Sequence, residues 1–123
     1  MTVQPFHFCI IERDLFIAAD LGAGLELASP GCHVRKLGRI GELNGELPAP
    51  GTIFITKLSL ADIAAAGLTD LSRRIEGRIV LRGDTDPADD VRRNGHECLP
   101  SPFTNQDLRE LVERLTRPAA AAE

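Results

Sequence analysis

Apolar positions along the chain fall into short continuous runs that alternate with stretches of helical spacing. Phe6 to Ile11 is apolar apart from one histidine, is closed by Glu12-Arg13-Asp14, and is too short for a helix, so it reads as a buried parallel strand. Leu15, Ala18, Ala19, Leu21, Ala23, Leu25, Leu27 and Ala28 then fill a first helix that stops at Ser29-Pro30-Gly31. Cys32 to Leu37 predicts a second strand. The glycine-rich stretch from Gly38 to Gly51, with Pro48 and Pro50, leaves room only for a short or irregular second helix. Thr52 to Thr56 is β-branched and aromatic, as expected of a central strand. Ser59 to Ile75 carries Leu60, Ile63, Ala64, Leu68, Leu71 and Ile75 at helical spacing, with Ser59 as cap and Gly67 as the point where this third helix would break. Arg78 to Leu81 predicts strand four, Pro87 to Arg93 a short polar helix closed by Asn94-Gly95, and Glu97 to Leu99 strand five. In the final helix Thr104 caps, Asp107 completes a capping box, and Leu108, Leu111, Val112 and Leu115 form the core stripe.

Five strands alternating with helices predict an α/β fold: a parallel sheet covered on both faces by right-handed crossovers. The flavodoxin-like order 2-1-3-4-5 fits best, which puts the functional crevice outside the carboxyl ends of the strands. One domain over residues 1–117 is expected, with a disordered tail over 118–123 beginning at Pro118 and running into alanines.

At 123 residues, 43% hydrophobic and 26% charged, the chain has the balance of an ordinary folded domain. The net charge of −4 argues against a nucleic-acid partner, since such binders carry a basic patch. Met1 to Phe8 offers neither a signal peptide nor a membrane span, so a cytoplasmic protein without a membrane partner is expected. Cys9, Cys32 and Cys98 sit in or beside apolar runs and imply no disulfide framework. His7, His33 and His96 each lie near a cysteine, but no paired metal-ligand spacing exists, and no metal is expected. Gly22-Ala23-Gly24 lies within the first helix and lacks the third glycine of a nucleotide loop, so it reads as a site of close helix packing. With no Tyr or Trp to stack a flavin and no nucleophile–base set at the strand ends, neither a cofactor nor an enzymatic activity is expected.

The segment Cys98-Leu99-Pro100-Ser101-Pro102-Phe103-Thr104 resembles the end of a response-regulator receiver domain, where Lys-Pro-Phe follows strand five. Ile10-Ile11-Glu12-Arg13-Asp14 resembles the acidic cluster after strand one, and Ala28 to Val34 the turn into strand two, so the resemblance spans about residues 5 to 117. It implies a crevice with an aspartate phosphoacceptor ending strand three, a magnesium-binding acid pair after strand one, a small hydroxyl residue ending strand four and a lysine after strand five. Carried over residue by residue, the acceptor position falls on Thr56, which cannot form an acyl phosphate. Glu12 remains of the acid pair, Arg13 places a fixed positive charge at the second position, Arg82 replaces the small hydroxyl residue, and Ser101 replaces the lysine. No Asp or Glu lies between Glu46 and Ala61, so a slip in alignment restores no acceptor. The family's cis Lys-Pro bond implies a cis Ser101-Pro102 bond here.

Together these changes imply a degenerate receiver that acts by protein contact with a histidine kinase, another regulator or a second copy of itself, with no output domain attached. The alternative is an anion or small-ligand sensor using the altered crevice. Arg13 and Arg82 fit an anion-binding pair, or else they pair with Glu12, Asp14 or Asp84 and fill the crevice themselves. For contact or homodimerisation, the expected exposed candidates on the face of helix four, strand five and helix five are Asp90, Arg93, Glu97, Gln106, Arg109 and Glu113. Arg73-Arg74 and Arg92-Arg93 read as helix-terminal charge.

Overall fold

The computed structural model describes residues 5–117, so the tail expected over 118–123 lies outside the described residues. Strands β1 (His7–Ile11), β2 (His33–Leu37), β3 (Ile53–Thr56), β4 (Arg78–Arg82) and β5 (Glu97–Leu99) form one parallel sheet in the order β2-β1-β3-β4-β5. This is the flavodoxin-like arrangement that the pattern predicts. Strands β1, β3 and β4 run as near-continuous apolar segments because both faces of the sheet are covered there, whereas the edge strand β2 exposes His33, Arg35 and Lys36.

Alternate residues of each strand feed two cores. Phe8, Ile10, Ile53, Ile55, Val80 and Leu99 pack against helices α1 (Leu15–Ala28) and α5 (Asn105–Thr116). On the other face Cys9, Ile11, Leu37, Phe54, Ile79 and Leu81 pack against a 3-10 turn (Ile40–Leu43) and helices α2 (Leu60–Ala65), α3 (Leu68–Arg74) and α4 (Ala88–Arg93). Fully burying one such aliphatic or aromatic side chain stabilises by about 1.5–3 kcal/mol, which fixes the register of every strand.

The stretch expected as the third helix does break at its weak point: Gly67 adopts φ +82°, a left-handed conformation that ends α2 and begins α3. Helix α3 closes with Glu76 at φ +54°, its N–H donating to the Arg73 carbonyl while that of Gly77 donates to Ser72. Glycine is required at 77 for a different reason: a Cβ there would lie 2.4 Å from the Thr52 carbonyl oxygen.

Helix α1 departs from the expected pattern. Its buried face is Ala18, Leu21, Gly22, Gly24 and Leu25, whereas Leu15, Phe16 and Leu27 are 81%, 85% and 73% exposed. The helix is apolar nearly all round, so composition alone did not distinguish the inward face. Gly24 faces α5, where an added Cβ would come within 2.3 Å of Leu108 Cδ1. Of the pair, Gly24 is thus the packing feature, whereas a Cβ at Gly22 would meet the flexible end of Lys36 at 3.0 Å. Helix α5 has the expected capping box, with Thr104 Oγ1 accepting from the Asp107 N–H and Asp107 accepting from the Thr104 N–H. Leu108, Leu111 and Leu115 are buried, and Val112 is half-buried. No helix among the described residues is long and apolar enough to cross a membrane.

Candidate functional site

The register aligns Ile11 with Thr56 and Thr56 with Leu81, and sets Arg82 beside Leu99, so residues 12, 56, 82 and 101 gather at one carboxyl edge. Arg82, the last residue of β4, is turned inward and is 4% exposed. One guanidinium nitrogen donates to Glu12 Oε1 and another to Ser101 Oγ at 3.0 Å. The second oxygen of Glu12 accepts the Asp14 N–H at 2.9 Å, and the Glu12 side chain is only 8% exposed. A buried charge needs a partner and its remaining valences filled. The Glu12–Arg82–Ser101 chain supplies both, joining the ends of β1 and β4 to the loop before α5.

Thr56 is 2% exposed, and its Oγ1 accepts the Leu58 N–H at 3.2 Å, closing the turn after β3. Asp14 caps α1 by accepting from the Phe16 and Ile17 N–H groups at 2.9 and 3.2 Å. Asp84 is exposed. Arg13 is exposed and makes no ion pair among the described residues, so it does not join Arg82 in an anion-binding pair. The Ser101-Pro102 peptide is cis.

Other features of this edge carry no signal in the linear sequence. Asp86 Oδ2 accepts the Leu60 N–H at 2.7 Å, tying the loop after β4 to the start of α2. Arg39 and Lys57, from the loops after β2 and β3, stand with Arg13 around a groove bounded by Ile11, Ile40 and Leu58.

The six residues expected to share one interaction face are divided by the fold. Glu97 is not an exposed candidate: its side chain is 20% exposed and accepts from Arg78 at 3.1 Å and from Arg114 at 2.8 Å. These bonds clamp β5 to β4 and α5. Asp90 pairs with Arg93 within α4 at 3.2 Å, and Arg109 donates to Gln106 at 2.6 Å. Arg109 and Glu113 lie with Ala28 and Val112 on the α1 side of α5. The groove between α4, β5 and α5 is instead lined by Asp86, Arg92, Asp107, Glu110 and Arg114. The helical period of 3.6 residues puts 107, 110 and 114 on one side of α5 and 109 and 113 on the other.

Burial shifts the three thiols and one imidazole. Desolvation pushes the Cys9 thiol up to about 11 despite the nearby Arg35 charge, and raises the half-buried Cys32 and Cys98. It lowers His96. His7 and His33 stack across β1 and β2 with ring centroids 4.6 Å apart. Among the described residues, no three His, Cys, Asp or Glu side chains group into a metal-ion cage.

No protein-family model matches the chain, and no curated protein matches it significantly. Its architecture is that of a receiver-like, flavodoxin-like α/β domain. The chain is similar in structure to a protein from Chloroflexus aurantiacus J-10-fl provisionally assigned as a response regulator and solved by crystallography. The TM-score is 0.62 at 20% identity, with 91% of this chain and 98% of that chain covered. At that identity the likeness is one of fold.

Proposed function

We propose that this chain is a receiver-like signalling module that takes no phosphoryl group and acts by protein contact, without enzymatic activity of its own. The observation that carries this reading is the Arg82 guanidinium, bonded to Glu12 and Ser101 where a phosphorylatable receiver needs open space and a metal. Phosphoryl transfer to a side chain requires a nucleophile and cations that neutralise developing charge. Thr56 offers a neutral hydroxyl already engaged in a turn, and the Glu12 carboxylate is occupied by an arginine. The receiver-like fold and its provisionally assigned neighbour support a role in signal transduction.

Leu15 and Phe16 support the contact half of the reading. Two adjacent large apolar side chains more than 80% exposed at the carboxyl edge are a surface that association would cover. Titrating the chain with beryllofluoride and magnesium should leave the amide resonances of Glu12, Thr56 and Arg82 in place, and saturable shifts confined to those residues would overturn the non-phosphorylatable reading. A histidine kinase or regulator that binds the immobilised chain should be lost with Leu15→Ser/Phe16→Ser, whose fold the exposed positions leave intact; undiminished binding would remove this surface from the proposal.

A further inference from the structure

The geometry points to a binding site for an amphipathic organic anion, an apolar body bearing one carboxylate or phosphate, in the groove across the carboxyl ends of β1, β2 and β3. This groove adjoins the buried Glu12–Arg82–Ser101 cluster, sharing Glu12 with it but not Arg82 or Ser101, and stands independently of the protein-contact reading. It holds about 690 Å³, within the range of small-ligand sites. Its floor and walls are Ile11, Ile40, Leu58 and Ala66, and its charged rim is Arg13, Arg39 and Lys57.

Three observations select the ligand's chemistry. The first is the rim's unbalanced charge. Seven arginines elsewhere lie within 4 Å of a carboxylate, but Arg13, Arg39 and Lys57 have no such partner among the described residues. The second is that Glu12, the one acidic residue lining the groove, lies within 4 Å of none of the three: its carboxylate is paired with the buried Arg82 and also accepts the Asp14 N–H. Three cations thus face one space within a chain of net charge −4, which favours an anion there over a cation or a neutral solute.

The third observation is the apolar lining between the cations. Inorganic phosphate would satisfy the rim and leave Ile40 and Leu58 facing water. A neutral hydrocarbon would cover them and leave the rim uncompensated. An anion with an apolar body does both. The groove also lies at the β1/β3 boundary, where the direction of strand progression reverses and parallel sheets leave a crevice.

The test uses the full chain, labelled for amide spectra, with 1-naphthoate and 1-naphthyl phosphate as probes. Both should produce saturable shifts at Gly38, Gly41, Lys57 and Leu58, and the tighter of the two identifies the preferred head group. Inorganic phosphate and 1-naphthalenemethanol should each bind at least tenfold more weakly. Arg39→Gln/Lys57→Gln alters exposed side chains and should weaken the naphthyl anions tenfold or more with the remaining resonances unmoved. Absence of saturable binding to the parent, equal affinity for the neutral alcohol, shifts centred on Leu15 and Phe16, or full affinity in the double variant would each overturn the site.

Discussion

Replacing Arg82 by methionine keeps much of the side-chain volume but removes the cation from a carboxylate that stays buried. With the Arg82 and Glu12 side chains 4% and 8% exposed, water does not replace the guanidinium without local rearrangement. Breaking one partner out of a buried ion pair costs about 3–5 kcal/mol. The Asp14 N–H remains on Glu12, and the cluster lies at the sheet edge, so the lower end, about 3 kcal/mol, is expected here. That is about a hundredfold in the folding constant, and with a urea dependence of about 1.5 kcal/mol per molar it moves the unfolding midpoint down by about 2 M. The double variant Glu12→Leu/Arg82→Met removes both charges and should recover most of the loss, since an apolar pair of similar volume is often as stable as a buried ion pair. Urea unfolding of the parent, both single variants and the double variant yields the coupling directly. A loss below about 0.5 kcal/mol for Arg82→Met, or a double variant whose loss equals the sum of the singles, would refute the reasoning.

Gly22→Ala and Gly24→Ala should separate although they are two residues apart. The first gains up to about 1 kcal/mol of helix propensity, with its Cβ 3.0 Å from the flexible end of Lys36, whereas the second loses about 1 kcal/mol net by pressing on Leu108; equal urea midpoints would contradict this α1–α5 packing. Cys9, held up to about 11, should resist thiol reagents at pH 8 until the protein unfolds, and prompt labelling of the native chain would count against its burial. Its raised folded value gives stability that is complete below the ordinary thiol range and is lost as pH rises from about 9 toward 11, so Cys9→Ala should flatten that part of the urea-midpoint profile. Thr104→Ala should cost about 1 kcal/mol by removing the cap of α5, with Thr104→Ser close to neutral in thermal unfolding.

The sequence by itself determined the elements and their order, because burial on both faces writes a parallel strand as a continuous apolar run and a capped helix as a stripe with a polar start. Thr104 with Asp107, the break at Gly67 and the five strand segments are local in this sense, each decided within a few residues. The residues at the strand ends were also legible, since the order 2-1-3-4-5 sends positions 12, 56, 82 and 101 to one edge. The partnership among them was not. Glu12 and Arg82 are 70 residues apart, and which carboxylate a buried guanidinium meets depends on strand register and side-chain direction. The same limit hid the meeting of Arg13, Arg39 and Lys57, which stand on three loops and share no periodicity. It also misassigned Glu97, whose polarity suggested solvent but which lies between Arg78 and Arg114. Periodicity reports how deep a residue lies along its own element, whereas ion pairs and grooves are formed between elements, so only the packed sheet decided them.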